Sequence, residues 1–271
     1  MMPRMSPAPL TFWKYQGLGN DFVVVEAAEV MPAGRAVRLC DRRRGVGADG
    51  VLSILPPRAG GAAYMHIYNS DGSVAAMCGN GIRCVARHLV ERRRLGAELD
   101  VETDAGTKRC VVHRGRDGRV EDVTVDMGPA RYLGEETLTV AGARLAGHRV
   151  SMGNPHVVFF GDSSTERART IGPLVERAVP GGVNVGFAAV RQGGLDLVVW
   201  ERGAGLTQAC GTGACAAAVA AVRTGALPAS EALEVLLPGG PLRITVGPDL
   251  AQVLMRGPAE CAFEGSTDLE A

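Results

Sequence analysis

This chain has no surplus of either charge: lysine plus arginine and aspartate plus glutamate each total 29. A neutral sum offers no general attraction to nucleic acid or to a membrane surface, so neither partner is expected. The runs Arg42-Arg43-Arg44 and Arg92-Arg93-Arg94 are short and read as solvated faces or helix ends. No apolar run reaches the roughly 18 residues of a membrane-spanning helix. The opening stretch MMPRMSPAPLTFWKY lacks the apolar core of a signal peptide. Aromatic residues are only 4% of the chain.

Glycine, by contrast, reaches 37 of 271 residues, roughly twice ordinary usage. Tight turns and close backbone approaches are therefore expected. The seven cysteines are Cys40, Cys78, Cys84, Cys110, Cys210, Cys215 and Cys261. Without export signals they imply reduced thiols in a cytoplasm, and an odd count argues against a pure disulfide framework.

Two of these thiols share one local setting. Cys78-Gly79-x-Gly81 matches Cys210-Gly211-x-Gly213 at an offset of 132 residues (210 minus 78). Gly19-Asn20 matches Gly153-Asn154, Gly106 matches Gly240, and Gly128-Pro129-Ala130 matches Gly257-Pro258-Ala259, in the same order and at nearly the same offset. Four ordered pairs predict two homologous halves of ordinary domain size. The expected division is residues 10–130 around Cys78 and 131–271 around Cys210, with the last residues, about 262–271, packing back on the first half.

Strand-like runs occur at DFVVVE, GVLSIL, AYMHIYN, VTVDMG, HVVFFG, LDLVVWE and LRITVG, mostly bounded by Gly, Pro or Asn. After Cys78, the positions Ile82, Val85, Ala86, Leu89 and Val90 follow a helical period and predict an amphipathic helix closing near Gly96. After Cys210, GACAAAVAAV is small or apolar on every side and predicts a helix buried all round, stopping by Gly225. The fold class is α+β: two pseudo-symmetric domains, each a mixed sheet or barrel wrapped around one principal helix.

A cysteine at a helix start sits beside unpaired N–H groups and partial positive charge, so it ionises more readily than a thiol in water. The same N–H groups bind carboxylate or phosphate, and the adjacent glycines keep no ligand off the backbone. Two such settings suit inversion at a carbon next to a carboxylate, one thiolate removing the α-proton and one thiol supplying another. Cys84 and Cys215, inside the helices, read as structural. Zinc would want closer C-x-x-C spacing than Cys78/Cys84 or Cys210/Cys215 provide. A thiol hydrolase using His156 would leave the second cysteine without a task. A redox pair of Cys78 with Cys210 is the remaining competitor. GVGADG (45–50) matches G-x-G-x-x-G but follows an arginine run and leads into a strand, so a dinucleotide loop is not expected.

The motifs GLGNDFVVV, RRRGVGADG, YNSDGSVAAMCGNGIRC, SMGNPHVVF, VNVGF, ERGAGLTQACGTGAC and LPGG closely resemble the diaminopimelate epimerase family. The resemblance implies a cytoplasmic, cofactor-independent and metal-independent isomerase acting on the small molecule diaminopimelate, without pyridoxal phosphate. It would interconvert the LL and meso forms in lysine and peptidoglycan-precursor biosynthesis. Cys78 and Cys210 then become the acid/base pair. Gly79-Asn80 and Gly211-Thr212 would hold the reacting carboxylate. Asn20, Asn69, Asn154, Asn184, Glu201 and Arg202 would bind the rest of the substrate, and His156 and Glu201 would tune the thiols. Two departures stand out: Gln16 where histidine is common, and Gly50 where some members have glutamine. Members are often homodimers, although no stripe in this sequence identifies an interface. A proline or hydroxyproline racemase shares the paired cysteines and is the near alternative; Arg202 favours a substrate with a second carboxylate.

Overall fold

A two-residue turn begins the fold. In the computed structural model, which describes residues 9–269, Leu18 (φ 55°) and Gly19 (φ 80°) both lie in the left-handed region. That backbone suits the twist of two antiparallel strands, β1 (Leu10–Gly17) and β2 (Asn20–Glu26). The LPGG motif answers this turn. A Cβ on Gly239 would stand 2.0 Å from the Leu18 carbonyl oxygen, and one on Gly240 would stand 3.0 Å from Leu18 Cδ2.

The chain continues through α1 (Ala33–Cys40), β3 (Gly50–Leu55), β4 (Ala63–Asn69), α2 (Gly79–Glu91), β5 (Glu98–Glu102) and β6 (Lys108–Arg114). Then follow β7 (Val120–Asp126), β8 (Arg131–Val140), β9 (Ala143–Ser151), β10 (Pro155–Phe160), α3 (Thr165–Ala178), β11 (Asn184–Arg191) and β12 (Gly194–Glu201). The last elements are β13 (Gly205–Leu206), α4 (Gly211–Arg223), β14 (Ala232–Leu237), β15 (Gly240–Val246), β16 (Val253–Gly257) and β17 (Glu260–Thr267). No described helix is long and apolar enough to cross a membrane.

These elements form two compact units. Among the described residues, unit 1 comprises 9–17, 21–112 and 259–269, and unit 2 comprises 18–20 and 113–258. In unit 1, β2 pairs parallel with β3, β3 antiparallel with β4, β4 parallel with β5, and β5 antiparallel with β6. In unit 2, β10 pairs parallel with β11, β11 antiparallel with β12, β12 parallel with β14, and β14 antiparallel with β15. The same alternation occurs twice, with α2 and α4 inserted at the same step. This is the duplicated α+β architecture that the glycine and cysteine pairs predict. Two segments complete the units from distant sequence: β17 pairs with β1, and β7 pairs with β16.

Each sheet wraps a helix. In unit 2, α4 packs against β9, β10, β11, β12, β14, β15 and β16. Its run Ala214–Ala221 is fully buried, as its uniformly small and apolar sequence predicts. Alanine both favours the helix and lets strands approach closely. Gly225 (φ 75°) ends it in the left-handed conformation, where glycine has no Cβ penalty.

Unit 1 departs from expectation at α2. The helical spacing there predicts one apolar and one solvated face, yet residues 79–90 are buried except Arg87. The two charged or basic side chains buried there have partners: His88 Nε2 lies 2.8 Å from Oε1 of Glu26, exposed at the end of β2, and Arg83 turns back on its own helix. Burial is set by the strands β1, β3 and β5 that pack on the helix, not by the helix's own pattern.

Candidate active site

Cys78 and Cys210 are the N-cap residues of α2 and α4. Each has extended backbone (φ −135° and −115°), and each sulfur accepts the amide hydrogen of the residue three positions on. The distances are both 3.4 Å, from Gly81 N to Cys78 Sγ and from Gly213 N to Cys210 Sγ. The sequence places the two thiols in equivalent settings, and the structure gives them the same cap geometry. An N-cap normally takes an oxygen side chain; a sulfur there lies among the helix-start N–H groups that favour its anion. Cys84 and Cys215 are fully buried within their helices. Burial pushes the Cys84 thiol up to about 12, as befits a structural residue.

In unit 2 the surroundings of Cys210 form a connected polar chain. Glu201 ends β12, and its carboxylate accepts the Thr207 hydroxyl at 2.6 Å. The Cys210 thiol lies near enough to this carboxylate for each to shift the other's ionisation. Burial raises the Glu201 carboxyl above its ordinary range, while the Thr207 hydroxyl and the neighbouring thiol oppose that rise. Burial also raises the Cys210 thiol well above the ordinary value, and the adjacent Glu201 raises it further. Contacts with Thr212 and Gly213 oppose that rise. Cys210 therefore rests as a protonated thiol at neutral pH.

On the other side of the sulfur, Thr212 Oγ1 is 3.7 Å away and accepts the Asn154 amide at 3.2 Å. Asn154 Oδ1 in turn accepts from His156 Nε2 at 3.0 Å. Burial lowers His156 to about 3, with Arg202 contributing, so the ring is neutral. It connects to the thiol through Asn154 and Thr212. Asn184, opposite His156 in the β10–β11 register, is 5% exposed. Its Nδ2 donates to Pro155 O and its Oδ1 accepts from Arg202 N, both at 3.0 Å. It thus ties the end of β12 to β10. The Arg202 stem runs over Gly182, where a Cβ would be 2.8 Å from Arg202 Cδ. Its Nη1 donates to Gly181 O at 3.1 Å. Gly211 opens α4 directly after the thiol.

Unit 1 carries Cys78, Gly79, Asn80 and Asn69. Gly79 and Asn80 are the first residues of α2 and are buried. Asn69 ends β4, the position that Glu201 holds on β12, and donates to Ser73 Oγ at 2.9 Å. It lies opposite Gly50 in the β3–β4 register. A Cβ on Gly50 would be 2.6 Å from the Tyr68 carbonyl oxygen, so the pairing as built has no room for a side chain there. Gln16 donates to Glu260 Oε2 at 3.0 Å on the β1–β17 pair. Asn20 opens β2 and clusters with unit 2. GVGADG is the connection from α1 into β3, not a strand-to-helix loop. Sequence reasoning overlooks Thr207, whose hydroxyl holds Glu201. The motif ERGAGLT contains it, but only the β12–β13 turn reveals the contact.

The fold recurs in proteins of known structure. A probable proline racemase from Agrobacterium radiobacter K84 aligns with TM-score 0.76 at 17% identity, covering 96% of this chain and 93% of that one. A hydroxyproline epimerase from Agrobacterium vitis aligns with TM-score 0.75 at 16% identity, covering 96% and 92%. Identities this low speak for the fold alone. The class these likenesses define is one of architecture: the duplicated α+β fold with a principal helix in each unit.

The sequence comparisons narrow the class. The family model described as diaminopimelate epimerase matches residues 12–133 and 149–262. Diaminopimelate epimerase from Synechococcus sp. (strain JA-3-3Ab) is 45% identical, covering 96% of this chain and 99% of its own. That of Moorella thermoacetica is 44% identical over 96% and 99%, and the chloroplastic one of Oryza sativa is 40% identical over 97% and 81%. This chain belongs to the diaminopimelate epimerase family.

Proposed function

We propose that the chain interconverts LL- and meso-diaminopimelate by a two-base mechanism in which Cys78 and Cys210 serve opposite faces of one α-carbon. A thiolate takes the α-proton: the C–H bond breaks, an S–H bond forms, and the electron pair moves toward the carboxylate. The other cysteine then gives its proton to the opposite face: its S–H bond breaks and a new C–H bond forms. The carbon is inverted, and the two sulfurs have exchanged protonation states. No electron is lost or gained, so no redox partner is required.

The observation that carries this reading is the duplicated cap, a sulfur 3.4 Å from a helix-start amide in each unit. Helix-start donors at Gly79-Asn80 and Gly211-Thr212 would stabilise the charge that develops on the carboxylate. Cys210, held as a thiol by burial and Glu201, supports a resting state in which Cys210 is the acid and Cys78 the base. The remaining polar residues, Asn20, Asn69, Asn154, Asn184 and Arg202, would select the distal amino-acid end. Sites built of hydrogen-bonding groups reject analogues that lack them. His156 and Glu201 would adjust the Cys210 thiol. The reading extends to a cytoplasmic step in lysine and peptidoglycan-precursor synthesis that needs no pyridoxal phosphate, and to a homodimer.

The test is α-proton exchange in deuterated solvent with LL-diaminopimelate, run beside L-proline. Deuterium incorporation with inversion of diaminopimelate is expected. Turnover of proline alone would overturn the substrate, and full activity of a Cys78–Cys210 disulfide form would overturn the mechanism.

A further inference from the structure

Arg83 is fully buried on the first turns of α2. Its guanidinium faces that helix's own start: Nη1 donates to Gly79 O at 3.1 Å, and Nη2 donates to Asn80 Oδ1 at 3.0 Å. Sealing a guanidinium away from water is costly, and its planar fork here joins the two residues that follow Cys78. Gly17 on β1 keeps the space for it. A Cβ on Gly17 would be 3.1 Å from Arg83 Nη2 and 3.5 Å from Asn80 Cβ. Unit 2 has no such device: the same offset of 132 leads from Arg83 to Cys215 (215 minus 83), and from Asn80 to Thr212, whose hydroxyl accepts from Asn154.

The chemistry of the pair fixes its orientation. Arginine has donors only, and an asparagine amide has one accepting and one donating end. Arg83 can face only the oxygen of Asn80, which turns Nδ2 the other way as a donor. We propose that Arg83 is a positioning residue: it locks the Asn80 amide so that Nδ2 donates to the substrate carboxylate received at the start of α2. This rests on the reading above that the start of α2 is a carboxylate cradle. It adds a residue outside the cradle that decides which end of the Asn80 amide faces substrate.

The test is steady-state kinetics with LL-diaminopimelate for Arg83→Met, Asn80→Ala, the double variant and Gly17→Ala, with thermal melting of each. Loss of a hydrogen bond to a charged group is worth about 10-fold or more. Arg83→Met should therefore raise KM and also lower kcat, cutting kcat/KM by about 10-fold or more. The donor that Arg83 orients acts on charge already present in the bound substrate and growing in the transition state. In the Asn80→Ala background the same substitution should change kcat/KM less than about twofold, because Arg83 acts through Asn80. Unchanged kcat/KM in folded Arg83→Met, or fully additive effects in the double variant, would overturn the proposal. Gly17 has a backbone that alanine adopts, and its new Cβ would push the guanidinium by a few tenths of an ångström. Should Arg83→Met fail to fold, Gly17→Ala decides: kcat/KM lowered about threefold with an unchanged melting temperature supports the proposal, and unchanged kcat/KM overturns it. Wild-type protein inert toward LL-diaminopimelate would remove the substrate reading itself. An active wild type with indifferent Arg83 variants would remove only this inference.

Discussion

The amide nitrogen of Gly213 lies 3.4 Å from the sulfur of Cys210, and a Cβ on that glycine would come within 3.2 Å of the same sulfur. Closeness of the backbone to the thiol is what the glycine provides. Gly213 is helical and has no positive φ, so alanine suits its backbone and gains up to about 1 kcal/mol of helix propensity. Against that gain, the new Cβ would stand 3.0 Å from Val199 Cγ2 and 3.2 Å from Cys210 Cβ in a buried site. Overpacking costs about 1–3 kcal/mol, so Gly213→Ala is expected to lower the melting temperature slightly. It should lower kcat by about 10–100-fold, since small displacements of reacting groups are costly. Circular dichroism melting and a steady-state assay check both halves of this outcome.

Cys78→Ala and Cys210→Ala should each remove LL-to-meso conversion, because each deletes the group serving one face of the carbon. Loss of acid/base participation alone is worth about 10²–10⁴-fold. Substantial conversion by either variant, followed by chiral chromatography, would refute the two-thiol mechanism.

Glu201→Gln removes the negative charge that, after burial, most raises the Cys210 thiol. The thiol should then ionise at lower pH, and its alkylation by iodoacetamide at pH 8 should accelerate, on the order of tenfold for each unit of downward shift. Mass spectrometry of the Cys210 peptide across pH 6 to 10 reads the profile. A profile that stays in place, or moves to higher pH, contradicts the electrostatic role of Glu201. Turnover should fall in the same variant, since a neutral amide neither holds the proton on Cys210 nor receives one.

His156 is depressed to about 3 in the folded chain by burial, with Arg202 contributing, against about 6.5 when unfolded. Between those values the unfolded chain binds the additional proton. The stability held by neutral His156 is complete above pH 6.5 and is lost as pH falls toward 3, by at most about 1.4 kcal/mol per pH unit. Urea midpoints at pH 7, 5.5 and 4.5 should fall more steeply for wild type than for His156→Gln, which cannot take up that proton. Parallel pH dependences would show that the ring is not held neutral by the fold.

Much of this was legible in the chain itself. GVLSIL and AYMHIYN coincide with β3 and β4 because their apolar runs are short and bounded by glycine or asparagine. The duplicated Cys-Gly-x-Gly step located both helix caps, since a thiol followed by two glycines and an apolar run is a local signal. The small-residue run after Cys210 likewise announced a helix buried on every side.

Other features emerge only once the chain has folded. The sequence reading expects the last residues to return to the first half. Yet the order of residues names neither β1 as the partner of β17 nor β16 as the partner of β7, because pairing depends on which edges remain open after collapse. Nor does periodicity show that Arg83 and His88 are buried. Strands packed on α2 override its apolar stripe, and Arg83 and His88 Nε2 are accommodated by hydrogen bonds to Gly79 O, Asn80 Oδ1 and Glu26 Oε1. Residue order set where the thiols lie along the chain and which helices they cap. Folding set what each thiol feels, since burial and a carboxylate brought from the end of β12 hold the proton on Cys210.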